Sequence, residues 1–333
     1  MSNLLAGRTA IVTGAGRGIG RAHALELARH GAAVVVNDYG VSLSGEGTGD
    51  TPAESVVAEI EAAGGRAVVN TADVADFEQA AAMVQQAIET YGGLDILVNN
   101  AGFVRDRMLV NTSEEEWDAV IRVHLKGHFA PLRHAGAYWR AESKEGRQRA
   151  ARVINTSSGA GLQGSVGQAT YSAAKAGIAG LTLVAAQELG RYGVTVNAIA
   201  PVARTRMTEG AFDTSAMALP EDNSPIVAWL AAEDAGDVTG RVIEIDGSTI
   251  TVETGWAHGP ARDLGRRWEA AEVGPALREL LAAAPAPEPG YGACAGRIAG
   301  GEFRRPADAT RGGTTKLRRP GAYFVVRARG RGW

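Results

Sequence analysis

The stretch RTAIVTGAGRGIGRAHALELARHG, residues 8–31, constrains this chain more than any other. A short β-branched run up to Thr13 leads directly into glycines at 14, 16, 18 and 20, and then into a helical pattern that ends at Gly31. A glycine loop between a strand and a helix lets the backbone turn tightly and approach a pyrophosphate, whose charge is met by the helix N-terminus. The spacing is G-x-x-x-G-x-G, because Ile19 stands where the ordinary G-x-G-x-x-G fingerprint has its last glycine. Gly14, Gly16, Arg17, Gly18, Ile19 and Gly20 are therefore the expected phosphate cradle.

The alternation begun there continues. A second buried strand over 33–36 delivers Asn37-Asp38, and further strands are expected at 66–70, 94–98, 151–156, 194–200 and 241–246. Helical patterns fill the gaps at 52–63, 77–91, from Ser113 onward, around Tyr171 to about 192, and at 221–234. Strands alternating with helices predict an α/β fold with seven strands. Asp38 ends its strand where a carboxylate can accept both hydroxyls of an adenosine ribose and repel a 2′-phosphate, which favours NAD over NADP. Asp73-Val74 lies beyond the third strand, where an adenine amino group can be met. The fourth strand runs into Asn99-Asn100-Ala101-Gly102, a turn whose amides can hold neighbouring strand ends and leave room for a cofactor over the glycine.

Tyr171 and Lys175 stand four residues apart on one helix, so their side chains share a face. An ammonium there is expected to draw the phenol below its usual value of about 10. A phenol tuned in this way can exchange a proton with an alcohol or ketone while hydride moves at the same carbon. Ser158, at the exit of the fifth strand, offers a hydroxyl to the same oxygen. His124, His128 and His134 on the helix after Ser113 lack converging acids or cysteines, and no metal site is expected.

Composition narrows the class. At 333 residues the chain has ample length for a core, and its one cysteine, Cys294, excludes an internal disulfide. No stretch approaches 18 uninterrupted apolar residues and the start lacks a basic leader, so a soluble cytoplasmic protein with no membrane association is expected. The net charge of -3 hides an asymmetry: residues 293–333 carry ten Lys/Arg against two acids, leaving an acidic body that is a poor nucleic-acid binder. Three parts are expected: residues 1–255 as the NAD-binding catalytic domain, 256–285 as an extension packing on the domain or a neighbouring subunit, and 286–333 as a Pro- then Arg/Gly-rich disordered tail.

From about residue 5 to 250 the chain resembles the short-chain dehydrogenase/reductase family. The resemblance rests on TGAGRGIG at 13–20, Asp38, Asp73-Val74, NNAG at 99–102, Ser158 thirteen residues before Tyr171, YSAAK at 171–175 and VNAIAP at 196–201. It implies a single doubly wound Rossmann-type domain whose seven-stranded, mostly parallel sheet has helices on both faces, with Tyr171 as acid/base and cofactor contact, Lys175 as its pKa tuner and a ribose contact, Ser158 as carbonyl stabiliser, and Asn100, Ala101, Gly102 and Thr205 as cofactor contacts. Where the family commonly has an asparagine that holds a relay water, this chain has His124, which either takes that place or packs. NDYG, GFVRDRM, VHLKG and TRMT look like the (3R)-hydroxyacyl-CoA dehydrogenase part of peroxisomal multifunctional β-oxidation enzymes. The implied activity is NAD-linked interconversion of a secondary alcohol and a ketone by a homodimer or homotetramer. A 3-oxoacyl reductase of fatty-acid synthesis type, a hydroxysteroid dehydrogenase and a non-catalytic nucleotide sensor on the same fold are the alternatives.

Overall fold

The computed structural model describes residues 3–40, 52–205, 217–286 and 290–291. The glycine-rich loop behind Gly40, Cys294 and nearly all of the basic tail lie outside the described residues.

The chain opens with β1 (Thr9–Thr13), α1 (Gly18–Arg29), β2 (Ala33–Asn37), α2 (Pro52–Ala62), β3 (Arg66–Asn70), α3 (Phe77–Tyr91) and β4 (Ile96–Asn99). It continues with α4 (Glu114–Ile121), α5 (Gly127–Lys144), β5 (Arg152–Thr156), α6 (Gly159–Gln163), α7 (Ala169–Leu189), β6 (Thr195–Val202), α8 (Ser224–Leu230), β7 (Val242–Asp246), β8 (Thr249–Val252) and α9 (Ala270–Ala283). The single sheet has the order β3-β2-β1-β4-β5-β6-β7-β8 and is parallel except for β8. Strands β1, β2, β4 and β5 are buried along their whole length, as expected of parallel strands covered on both faces.

Alternate residues of each strand serve opposite cores. Val12, Val34, Val98, Ile154 and Ile199 pack with Leu27 of α1, Ile60 of α2 and Leu230 of α8. Ile11, Val35, Leu97, Val153 and Val196 pack with Met83 of α3, Trp139 of α5 and Ala185 of α7. The Trp139 indole N–H donates to the Leu94 carbonyl at 2.7 Å, so the largest buried side chain keeps its one polar atom satisfied.

Three features differ from the expectation. The sheet has eight strands, not seven. Gly247 adopts φ 56° and, with Ser248, makes a two-residue turn that returns the chain as β8, pairing Asp246 with Thr249. A positive φ at such a position matches the natural twist of a hairpin. The long helix opened by Ser113, whose Oγ accepts the Glu116 N–H at 3.2 Å, divides at a π-helical segment, Arg122–Lys126. Pro131, one turn further on, cannot donate an amide hydrogen bond there. The helix expected at 221–234 contracts to α8, with 3-10 turns at Pro220–Asn223 and Glu233–Ala235 on either side.

The order reverses at β1 and β4, where an open parallel sheet leaves a crevice at its carboxyl ends. The glycine loop, the Asn-Asn-Ala-Gly turn and Ser158 all leave strands at that edge.

Candidate active site

One cleft brings the expected residues together. Gly14, Arg17, Gly18, Ile19, Gly20, Asp38, Asp73, Val74, Asn100, Ala101, Gly102, His124, Ser158, Tyr171, Lys175 and Thr205 all line it. Gly16 lies behind the lining, where a Cβ would sit 2.8 Å from Asp38 Oδ2.

At one end the backbone forms the cradle. Gly14, in the loop, and Gly18, the first residue of α1, take φ 63° and 54°, conformations that favour glycine. A Cβ on Gly14 would lie 2.7 Å from the Ala101 Cα, and one on Gly20 2.2 Å from the Gly14 carbonyl oxygen. The loop and the first turn of α1 are thus in direct backbone contact. Asp38 accepts the Gly16 N–H through Oδ2 and the Gly40 N–H through Oδ1, each at 2.9 Å. Asp73 accepts the Ala75 N–H at 2.9 Å and pairs with Arg122 at 2.5 Å, so Arg122 joins that end of the site from the π segment. Val74 presses on Gly127, whose Cβ would lie 2.7 Å from Val74 Cγ2. The side-chain amide of Asn100 donates to the carbonyls of Thr13 at 3.0 Å and Gly14 at 3.3 Å, tying β4 to β1. Such a cradle, with glycines where side chains would collide, a helix N-terminus and a carboxylate at the end of β2, fits a dinucleotide.

The space over Gly102 is not left open. A Cβ there would lie 2.2 Å from His124 Cε1, so the glycine makes room for an imidazole. His124 is buried, its Nε2 lies 2.6 Å from the Phe103 carbonyl oxygen, and its ring meets Tyr171 edge-on with centroids 5.2 Å apart. Burial pushes its pKa down to about 3, with the Lys175 charge acting the same way. The neutral ring therefore packs between Gly102 and Tyr171.

At the other end, Ser158 caps α6, its Oγ accepting the Ala160 N–H at 3.2 Å, and it is also hydrogen-bonded to the Tyr171 hydroxyl. The adjacent Ser157 turns away and donates to the Lys175 carbonyl at 2.9 Å, fixing α7 against the end of β5. Lys175 is 2 % exposed, and its Nζ donates to the Thr156 carbonyl at 2.6 Å and lies 5.5 Å from the centre of the Tyr171 ring. Burial pushes the Tyr171 phenol up to about 12, against the lowering effect of the Ser158 hydrogen bond, and Asp106 adds to the rise. Burial also brings the Lys175 ammonium down to about 7. The expected drop in the phenol's pKa is thus reversed in the protein alone, because both groups leave water and the ammonium is directed at the Thr156 carbonyl.

Tyr291 was not expected here. It comes from the segment read as an unpacked tail, yet it lines the cleft, and its N–H donates to the Gly164 carbonyl at 2.7 Å. Its own neighbourhood in the sequence carries no signal. The sign was Gly159, whose backbone does not need glycine but whose Cβ would lie 2.1 Å from the Tyr291 ring. Among the described residues no cluster of three or more metal-ligating side chains forms, and no helix is long and apolar enough to cross a membrane.

The chain is similar to several known proteins. A hydroxyacyl-CoA dehydrogenase of Mycobacterium tuberculosis, ChsB1, is 46 % identical over 294 residues, covering 84 % of this chain and 90 % of that protein. The peroxisomal multifunctional enzyme type 2 of Drosophila melanogaster is 44 % identical over 253 residues, 75 % of this chain but 40 % of that longer enzyme. A crystal structure of a short chain dehydrogenase from Mycobacterium avium superposes with a TM-score of 0.80 at 61 % identity, covering 87 % of this chain and all of that one. The family described as short chain dehydrogenase matches residues 8–216, from the first strand to beyond β6, a span that includes the helix carrying Tyr171 and Lys175. That span takes in both ends of the cleft, and the chain belongs to the short-chain dehydrogenase family.

Proposed function

We propose that this oxidoreductase, which acts on CH–OH groups, uses NAD to interconvert a 3-hydroxyacyl thioester and its 3-oxo counterpart. The observation that carries the chemistry is the meeting of Ser158, Tyr171 and Lys175 at one end of a cleft whose other end is the glycine cradle and Asp38. When bound, the nicotinamide dinucleotide supplies the two-electron acceptor or donor. The protein's own share is the proton. In the reductive direction the Tyr171 phenol gives its proton to the nascent alkoxide oxygen, and Ser158 donates a hydrogen bond to the same oxygen. In the oxidative direction the phenolate takes the alcohol proton, so the oxidation rate rises with pH towards the phenol's raised pKa. Lys175, held by Thr156 beside the ring, favours the phenolate only in its ammonium form, which burial confines to pH below about 7. His124 positions the Tyr171 ring.

Two relatives bear on the substrate. ChsB1 is named for a hydroxyacyl-CoA, which supports the thioester. The 3-oxoacyl-[acyl-carrier-protein] reductase FabG of Staphylococcus aureus is 40 % identical over 252 residues, and a phenol held protonated near neutral pH favours that direction equally. Asp38 supports NAD, because its carboxylate would repel a 2′-phosphate.

The test is a panel of 3-hydroxyacyl-CoA, 3-oxoacyl-carrier-protein and steroid alcohol or ketone substrates, with NAD(H) and NADP(H), followed by nicotinamide absorbance. Preferred turnover of 3-hydroxyacyl-CoA with NAD is expected. Faster turnover of a steroid, or equal use of the two dinucleotides, overturns the substrate or the Asp38 assignment respectively.

A further inference from the structure

The run SGAG at 158–161 is small for two different reasons. A Cβ on Gly161 would lie 2.6 Å from the Lys175 carbonyl carbon, so α7 presses on it from one side. Gly159 meets no such backbone. Its Cβ would fall 2.1 Å from Cδ2 and 2.2 Å from Cε2 of Tyr291, so an aromatic ring occupies the space of the missing side chain. The position sits in α6 with no positive φ, and alanine would suit its backbone. What excludes a side chain there is the ring.

The ring lies at the end of the cleft away from the cradle. Its backbone anchor is the Gly164 carbonyl at the C-terminal end of α6, while the ring lies on Gly159 at the other end, adjacent in sequence to Ser158, and α6 follows β5. Burial pushes the Tyr291 phenol upward, and Glu244 on β7, Tyr171 and Asp246 on β7 are close enough to add to the rise. Strands β5, β6 and β7 form the half of the sheet beyond β4, whereas Asp38 follows β2 on the other side of β1. Tyr291 thus closes over the half where the reacting carbon must sit, beside the catalytic hydroxyls and away from the glycine cradle and Asp38.

We propose that Tyr291 is a substrate-contacting residue that sets how much bulk the site accepts next to the reacting carbon, narrowing it to slender, unbranched chains. This rests on the reading of Ser158 and Tyr171 as the reacting end, and not on the thioester. A ring packed against a glycine leaves a flat wall, and a flat wall admits an extended methylene chain while rejecting a branched or cyclic substituent at the same carbon. Size discrimination of this kind is worth about 10- to 200-fold in kcat/KM.

The test uses the full chain and two secondary alcohols that the wild type oxidises, one unbranched and one branched or cyclic beside the carbinol. In Tyr291→Ala the kcat/KM ratio should move at least about tenfold towards the bulkier alcohol, with NADH affinity unchanged. Gly159→Ala should produce the same shift, because its Cβ and the ring cannot coexist. The double variant should show no further shift, since the two changes remove one contact. Tyr291→Phe, which keeps the ring, should retain the wild-type ratio. An unchanged ratio in Tyr291→Ala, additive shifts in the double variant, or a Tyr291→Phe that behaves like Tyr291→Ala overturns the proposal while leaving the dehydrogenase reading intact. A wild-type protein that oxidises no secondary alcohol overturns that reading, and this one with it.

Discussion

The two ends of the cleft are built by different means. At the cradle, backbone lies against backbone, Gly14 against Ala101 and Gly20 against the Gly14 carbonyl, and one carboxylate, Asp38, holds the backbone amides of Gly16 and Gly40. At the reacting end, side chains from distant parts of the chain converge: His124, Ser158 and Lys175, which are buried, and Tyr171 and Tyr291, which are partly so. Backbone geometry is set by residues close together in sequence and tolerates little change. Side-chain convergence depends on burial, and burial sets the pKa values that the chemistry uses. Substitutions at the reacting end should therefore alter turnover and pH behaviour, and those at the cradle should alter cofactor affinity and stability.

The largest effect is expected at the reacting end. Tyr171→Phe removes the proton donor while preserving the ring that His124 contacts, and steady-state assays should show turnover reduced by roughly 10³-fold. Residual activity within about tenfold of wild type would break the contrast.

The second effect concerns pH. The Lys175 ammonium sits at about 7 in the folded protein against 10.5 unfolded. Between those values the unfolded chain binds more protons, so this group makes stability rise with pH from about 7 to 10.5. Tyr171 acts in the opposite sense, because its phenol is raised from 10.0 to about 12 and its stabilising share is lost as pH climbs through that window. Urea denaturation across pH 6 to 11 should show that Lys175→Met flattens the rise, by on the order of a few kcal/mol. An unaltered pH profile would mean that Lys175 is hydrated in solution.

At the cradle, Gly20→Ala places a Cβ against the Gly14 carbonyl. Titration should show NADH affinity weakened by at least about tenfold, with kcat on bound cofactor changed much less. A fall in kcat alone would blur the two regions into one.

The smallest loss is expected for His124→Ala. If the imidazole packs between Gly102 and Tyr171, melting temperature and turnover should fall together, with stability reduced by about 1–3 kcal/mol and turnover by less than about tenfold. A large loss of turnover at an unchanged melting temperature would instead restore the relay role.

How much of this was legible in the sequence follows the same division. The cradle was readable because its parts are consecutive: Thr13, the glycines and α1 form one local unit, and Asp38 follows by one strand. Tyr171 and Lys175 were readable because helical spacing alone places them together. Their protonation was not, since spacing reports proximity but not burial, and burial reverses the expected direction for the phenol. The split of the long helix at Arg122–Lys126 leaves no periodicity of its own, because a π segment adds a residue within a turn rather than ending the pattern. Strand β8 was missed because its side chains are exposed, so Thr249–Val252 has no buried face to announce it. Tyr291 lies beyond a proline-rich stretch, and its partner, Gly159, is more than a hundred residues upstream.

The most direct test of the division is the NADH affinity of Tyr171→Phe, measured by calorimetric titration beside the wild type. Binding built by the cradle predicts dissociation constants within about threefold of each other despite the collapse in turnover. A dissociation constant that weakens in step with the lost activity would contradict the account, because the phenol would then belong to the cradle as much as to the chemistry.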